Sequence, residues 1–309
     1  MKELWVEKYR PKTLAEYVFR DDIQKQQVES WVKSGAIPHL MFSGAPGVGK
    51  TTLAKVLLYE LDVDWGDVLE INASRDGGIG VLRTKITNFC GTLPFGEFKY
   101  VILDEADYLT EETQAASRGV MEQYASSVRF ILTCNIPTMI IEAIHSRCQG
   151  FHIERLDETD FMVRLGQVLT SEGVEIDIDT LELYVKATYP DLRKCINMCQ
   201  MNSQTGKLLS PHQSEIIGPD YRIKMVQLFK EGKITEARKL VCSKANPQEY
   251  TDIFKFLYRN LEYWGDTTEL QDEAILIIRD SLVKQTTCAD PEINLAACLI
   301  QLNALRNNG

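Results

Sequence analysis

The chain contains no C-x-x-C pair; its eight cysteines are scattered between Cys90 and Cys298. That excludes the common zinc modules and a disulfide framework, and it points to a reducing, cytosolic setting. Cys195 and Cys199 stand one helical turn apart, a spacing that suits buried thiols better than metal ligands. No apolar run approaches the length of a membrane span. The charged opening Met1-Lys2-Glu3 lacks a signal-peptide pattern, so a cytoplasmic protein is expected. Positive charge is in deficit: 34 Lys and Arg face 44 Asp and Glu, a net charge of −10. This argues against a protein that coats nucleic acid over its whole surface and leaves room only for a local basic groove. There is no internal repeat and no low-complexity segment. What is left is the composition of a soluble globular protein, 44% hydrophobic and 25% charged over 309 residues, enough for two or three domains.

Against this background the stretch Gly44-Ala45-Pro46-Gly47-Val48-Gly49-Lys50-Thr51-Thr52 fits the phosphate-loop pattern G-x-x-x-x-G-K-[ST]. The approach, residues 38–43, is short and apolar like a strand. The exit carries Leu53, Val56, Leu57 and Leu61 at helical spacing. A chance match would be a glycine-rich turn, but a strand before and a helix after are the context that confirms the motif. Glycines let successive N–H groups converge on phosphate oxygens at the positive end of a helix. Lys50 should reach the β and γ phosphates, and the Thr51 hydroxyl should help to hold Mg²⁺. The chain is expected to bind a nucleoside triphosphate.

Further strands are predicted at 68–72, 100–104, 128–133 and 150–153, alternating with helix-like segments near 79–90, 111–124 and 138–146. This alternation predicts an α/β domain whose parallel sheet is covered on both faces. After Ile153 the strand signals stop. Helical spacing follows at 159–172, 179–187 and 191–202. A linker with two prolines and two glycines is expected at 206–219. Five more helices are predicted, at 221–230, 234–245, 248–263, 269–284 and 291–305. The predicted division is 1–153, 154–217 and 218–309: a sheet domain, a small helical domain and a larger helical one. The opening segment 4–14 reads either as an arm capping the core or as a lid over a nucleotide base.

The strand at 100–103 runs into Asp104-Glu105-Ala106-Asp107. An acid at this strand end supports Mg²⁺ in phosphate-loop enzymes. The next residue, Glu105, is placed to polarise an attacking water as general base. The same four letters name a helicase family, but such helicases need a second sheet domain, and nothing after Ile153 could build one. Thr133-Cys134-Asn135 ends the next strand and should bring the Asn135 amide to the γ-phosphate or the water; a turn-starting Asn before Pro137 is the plainer reading. Arg147, in Ile144-His145-Ser146-Arg147-Cys148, is by spacing alone either a surface charge or a cation projected into a neighbouring subunit's site. Arg193 lies in a helical first turn, where a cation opposes the helix dipole. That placement is more natural if it faces a bound polyphosphate.

Taken together these residues resemble the AAA+ clamp-loader ATPases, the replication factor C small subunits and their phage counterparts. The resemblance is carried by Trp5-Val6-Glu7-Lys8-Tyr9-Arg10-Pro11, Gly44 to Thr52, Asn72-Ala73-Ser74, Asp104-Glu105-Ala106-Asp107, Thr133-Cys134-Asn135, Ser146-Arg147-Cys148 and Pro190-Asp191-Leu192-Arg193-Lys194. These appear in the family's order through about residue 200. Ser146-Arg147-Cys148 separates the group from generic AAA+ ATPases. The short chain and its segment 292–302 look closest to the ATPase subunit of T-even-like phage clamp loaders.

The resemblance implies a AAA+ domain, a helical lid domain and an all-α collar. Val6, Glu7, Lys8, Tyr9, Arg10 and Val18 would frame adenine and ribose. Gly47, Val48, Gly49, Lys50, Thr51 and Thr52 would hold the phosphates of ATP, with Thr51 and Asp104 toward Mg²⁺. Asp104 and Glu105 would be the Walker B pair, Asn135 sensor 1 and Arg193 sensor 2. Arg147 would be an arginine finger given to a neighbour. A five-subunit ring is implied, which opens a sliding clamp, grips primer–template DNA and releases the closed clamp on hydrolysis. DNA and clamp together would stimulate the ATPase.

Within that frame Arg75, Arg83, Thr84 and Lys85, with the Gly77 and Gly78 amides, can contact DNA phosphates without reading bases; a solvated helix face is the alternative. Relatives often carry a basic residue where Gly77 stands, and a second arginine where Gly119 stands. Gln114 and Arg118 could couple DNA contact to the Walker B acids. Leu93 and Phe95, in a Gly- and Pro-rich loop, are either exposed anchors for a pocket on the clamp or core residues. Two other readings stand beside the clamp loader. One is a different AAA+ DNA machine, an origin initiator or a branch-migration helicase. The other is a ring scaffold that binds ATP without hydrolysing it, against which the intact Lys50, Glu105 and Arg193 argue.

Overall fold

The computed structural model describes residues 3–75, 79–209, 221–246 and 249–308; at 79, 81–83 and 308 it describes the backbone alone. The chain divides into two compact units, Met1–Leu165 with Pro190–Ile196, and Gly166–Tyr189 with Asn197–Gly309.

The first unit begins with a single helical turn, α1 (Trp5–Lys8). Then come α2 (Asp22–Ser34), β1 (Leu40–Ser43), α3 (Lys50–Glu60), β2 (Val68–Asn72), α4 (Ile79–Cys90), β3 (Lys99–Asp104), α5 (Glu111–Gln123), β4 (Val128–Cys134), α6 (Glu142–His145), β5 (Gln149–His152) and the start of α7 (Glu158–Ser171). Local chemistry sets several of these ends. Asp21 caps α2 by accepting from the Gln24 N–H at 2.8 Å, and Gly35 closes it at φ 70°. Thr110 caps α5, with Glu111 and Glu112 in its first turn.

The five strands form one sheet in the order β2-β3-β4-β1-β5, and every pairing is parallel. Alternate residues serve opposite faces. Leu40, Phe42, Tyr100, Ile102 and Ile131 pack with Val28 and Trp31 of α2 and with Leu53, Ala54 and Leu57 of α3. Met41, Val101, Leu103, Phe130 and Leu132 pack with Ile86 of α4, Val120 and Met121 of α5 and Ile144 of α6. The central strands β1, β3 and β4 are buried almost throughout, which explains why they read as nearly continuous apolar runs. The sheet reverses its order of addition between β4 and β1, and the carboxyl ends of strands at such a switch are where open α/β sheets bind ligands.

The predicted helix at 138–146 is shorter in the structure. Pro137 starts a 3-10 turn at Pro137–Met139, and only Glu142–His145 is α-helical. The predicted helix 248–263 is likewise broken at Asn260, which leaves helical geometry at φ −118°, ψ 58°. Its side-chain amide donates to the Phe256 carbonyl at 2.8 Å.

The second unit holds α8 (Ile178–Thr188), the later turns of α9 (Leu192–Met201), α10 (Tyr221–Lys230), α11 (Ile234–Lys244), α12 (Tyr250–Arg259), α13 (Thr268–Lys284) and α14 (Pro291–Asn308). Phe229, Phe256, Tyr263 and Trp264 form an aromatic cluster in its core, with ring centroids 5.4–6.4 Å apart. Most of the predicted linker, from 210 onward, lies outside the described residues. No described helix is long and apolar enough to cross a membrane.

One imidazole replaces a backbone partner in the sheet. His39 lies just before β1, and its Nδ1 accepts from the Phe130 N–H at 3.1 Å, so the ring must be neutral. Burial, with the Arg129 charge beside it, pushes the His39 pKa down to about 4. The unfolded chain therefore binds the extra proton first. The stabilisation is complete above the ordinary histidine pKa and is lost as pH falls through about 4. The urea midpoint should drop between about pH 7.5 and about pH 4.5, and His39→Gln should make that drop smaller. An equal drop in the variant would contradict this role.

Candidate active site

The phosphate loop joins β1 to α3, and its glycines meet close neighbours. A Cβ at Gly44 (φ 150°) would stand 2.3 Å from the Ile153 carbonyl oxygen, and one at Gly47 (φ 79°) 2.5 Å from Asp191 Oδ1. Gly49, at φ 95°, precedes the helix and offers no side-chain cap, so the first N–H groups of α3 remain open donors. Lys50 folds back along the loop. Its Nζ donates to the carbonyls of Gly44 at 2.9 Å and Ala45 at 2.8 Å, and to Asn135 Oδ1 at 2.7 Å. Burial pushes the Lys50 pKa down, while Cys134, Asp107, Asp104 and Glu105 hold it up.

The acids come from the end of β3. Asp104 Oδ1 accepts from the Thr51 hydroxyl and from the Thr133 hydroxyl, each at 2.6 Å. Glu105 leaves the strand at φ 56°, ψ 44°, a left-handed conformation that costs a non-glycine residue roughly 1–2 kcal/mol. Its N–H donates to Thr133 Oγ1 at 3.0 Å. Asp107 fixes the neighbouring strand end: its Oδ2 accepts from the Asn135 N–H at 3.0 Å and the Ile136 N–H at 3.1 Å.

Lys50, Thr51, Asp104, Glu105, Thr133 and Asn135 line one cavity of about 220 Å³. Of the residues proposed from sequence, Val6, Tyr9, Arg10, Val18, Gly47, Val48, Gly49, Lys50, Thr51, Thr52, Asp104, Glu105, Asn135 and Arg193 line it. Glu7 and Lys8 do not: α1 is one turn, so Val6 and Tyr9 share a face that the two charged residues leave. Glu7 instead accepts from Arg10 at 3.0 Å, and the Lys8 ammonium lies 5.2 Å from the Tyr9 ring centroid.

Five cavity residues, Ile196 of α9 among them, carried no sequence signal of their own. Tyr17 donates to the Val48 carbonyl at 3.4 Å, and burial raises its pKa. Arg164 donates to the Tyr9 carbonyl at 3.0 Å, tying α7 to the arm, and Leu156 and Phe161 complete the apolar wall. Asp191 belongs to the motif Pro190-Asp191-Leu192-Arg193-Lys194 but had no role assigned from sequence. It accepts from the Lys194 N–H at 3.0 Å, and burial raises its pKa.

Arg147 is not among the residues lining its own chain's cavity. It pairs with Glu122 and donates to the Ala143 carbonyl at 2.6 Å; Glu122 is shared with Arg118 at 3.2 Å. Gln114 is buried, and its amide donates to the carbonyls of Leu109 and Met139, both at 3.0 Å, and accepts from the Ile141 N–H at 2.8 Å. Arg75, Thr84 and Lys85 are exposed. The Arg83 side chain and residues Gly77 and Gly78 lie outside the described residues. Leu93 and Phe95 are 91% and 83% exposed, so neither is a core residue. Their loop is held from beneath by Asp67 Oδ2, which accepts from the N–H groups of Phe95 at 2.7 Å and Gly96 at 2.8 Å.

The family model of the ATPase family associated with various cellular activities (AAA) matches residues 40–155. The fold is similar to that of Thermotoga maritima RuvB. The RuvB Holliday junction branch migration motor superposes with a TM-score of 0.54 at 17% identity, over 75% of this chain and 79% of that one. A point-mutant form of the same protein gives 0.55 at 15% identity, over 92% and 90%. At such identity the likeness shows the fold alone. Fold and site together define a AAA-type ATPase, a phosphate-loop sheet domain with a C-terminal helical region.

Sequence relatives narrow this. The chain is 40% identical over 315 residues to the replication factor C small subunit of Archaeoglobus fulgidus, spanning 98% of both proteins. It is 36% identical over 317 residues to that of Thermofilum pendens, spanning 97% of this chain and 96% of the relative. The chain belongs to the replication factor C small subunit family.

Proposed function

We propose that this chain is the ATPase subunit of a sliding-clamp loader, working in a ring of about five subunits in the cytoplasm. ATP binding opens the clamp and grips primer–template DNA; hydrolysis releases the closed clamp. The observation that carries this reading is the division of the site. Lys50, Thr51, Asp104, Glu105, Asn135 and Arg193 line one cavity, whereas Arg147 lies outside its lining, paired with Glu122, and is read as a group for a neighbour's site. Residues 1–153 would be the nucleotide-binding domain, 154–217 the lid and 218–309 the collar.

In this mechanism the open amides of the loop and α3 bind the triphosphate, and Lys50 exchanges its carbonyl partners for the β and γ phosphates. Val6, Tyr9, Arg10 and Val18 enclose the base and ribose, with Glu7 and Lys8 bracing the arm. The Thr51 hydroxyl and Asp104 carboxylate, sharing one hydrogen bond, are hard oxygen donors of the kind Mg²⁺ accepts beside phosphates. The ion, when bound, neutralises charge developing on the transferred phosphoryl group. Glu105 takes a proton from the attacking water, Asn135 orients that water, and Arg193 senses the γ-phosphate. Arg147 of the adjoining subunit supplies the remaining positive charge.

Arg75, Arg83, Thr84 and Lys85 would track the DNA backbone, and Leu93 and Phe95 would enter an apolar pocket on the clamp. Lys50, Glu105 and Arg193, all lining the cavity, speak against a non-hydrolysing scaffold. The test is ATP turnover of the reconstituted assembly with no addition, with DNA, with clamp and with both. Turnover should rise sharply only with both, and charge reversal at Arg75 and Lys85 should weaken the DNA response equally across sequences. Turnover indifferent to DNA and clamp would contradict the proposal.

A further inference from the structure

Two polar side chains interrupt the apolar run of β4. Arg129 reaches outward, donating to the Ile37 carbonyl at 3.0 Å and lying over the Phe98 ring. Thr133 does not reach outward: it is 1% exposed, between Leu132 and Cys134, each 0% exposed. Packing alone does not call for a hydroxyl here, since Val has nearly the same shape and no polar atom to satisfy.

Both bonds of this hydroxyl go to the Walker B pair. It donates to Asp104 Oδ1 at 2.6 Å and accepts from the Glu105 N–H at 3.0 Å. The paired register of β3 with β4 ends at Leu103 and Leu132. Two residues later Glu105 turns into the left-handed region, which takes its N–H out of the ladder. The hydroxyl meets that N–H where no strand carbonyl does. An ionised carboxylate can only accept and an N–H can only donate, so the single hydroxyl hydrogen must point to Asp104 and a lone pair to Glu105. The side chain has one orientation, and that orientation joins both acids.

We infer that Thr133 is a positioning residue for ATP hydrolysis. Its hydroxyl holds the Glu105 backbone in the turned conformation from which the carboxylate addresses water. It also keeps Asp104 aligned with Thr51, whose hydroxyl donates to the same oxygen. The inference rests on the reading of Glu105 as general base.

Thr133→Val, Thr133→Ala, Thr133→Ser and Glu105→Gln are compared in the assembly with DNA and clamp present. kcat and KM are measured there, and ATP affinity is measured on the isolated chain with a fluorescent ATP analogue. Val should lower kcat by about 10–100-fold, the range for losing the hydrogen-bond partner of a metal-holding carboxylate such as Asp104, with nucleotide affinity changed far less than kcat. Ala, which needs no new packing, should fall with Val, and Ser should restore the rate. Normal turnover in Val or Ala alongside an inactive Glu105→Gln overturns the Thr133 inference alone. So does a Ser variant as slow as Val, or a parallel loss of nucleotide affinity. Normal turnover in Glu105→Gln removes the reading of Glu105 itself, and the inference with it.

Discussion

Replacing Arg147 with Ala is expected to lower ATP turnover of the assembled ring by about 10³–10⁵-fold, the range for removing an arginine finger. ATP binding by the isolated chain should be unchanged, because Arg147 does not line that chain's cavity. In the described structure the guanidinium is held by Glu122 and the Ala143 carbonyl, both on exposed or half-buried surface. Such surface pairs contribute only about 0–1 kcal/mol. The substitution should therefore leave folding almost intact. Comparison of nucleotide affinity with ring turnover checks this directly, and a variant ring that hydrolyses ATP normally would remove the trans contribution.

Glu105→Gln should lower turnover by about 10²–10⁴-fold, the scale of a lost general base. The amide keeps the size of the side chain and the Thr133 bond, which involves only the Glu105 backbone N–H. Lys50, Thr51 and Asp104 are untouched, so ATP binding should persist. The variant assembly should then capture ATP, clamp and DNA and stall with the clamp still attached. Pre-steady-state phosphate release and clamp-release rates separate these steps; prompt clamp release would rule out the role assigned to Glu105.

Much of this is legible in the sequence, because the nucleotide site is assembled from short contiguous motifs at strand ends. Gly44 to Thr51 specify their geometry locally: three glycines at positive φ and a lysine that the loop itself folds over. The strand positions followed from the apolar runs that a sheet buried on both faces demands. Groups whose role depends on tertiary register were not legible. Nothing near Thr133 in the sequence indicates that its hydroxyl spans to β3, because that pairing exists only once β3 and β4 are in register. Arg164 and Tyr17 likewise reach the site through the fold, from α7 and from the segment before α2. Asp191 meets Gly47 only in the folded first unit, which also contains Pro190–Ile196 although they lie beyond α8 in the chain. The shortness of α6 was missed because helical spacing at 138–146 outweighed the effect of Pro137.

The central claim is that each chain carries an incomplete site, finished by its neighbour. The most direct test mixes Glu105→Gln chains with Arg147→Ala chains in one reconstituted assembly and measures ATP turnover with DNA and clamp present. Each variant alone should be nearly inactive. In the mixture, some interfaces pair an intact Glu105 with an intact Arg147 from the adjoining chain, so turnover should recover to a fraction set by the mixing ratio. A mixture as inactive as either variant alone, at every ratio, would contradict a site shared between subunits.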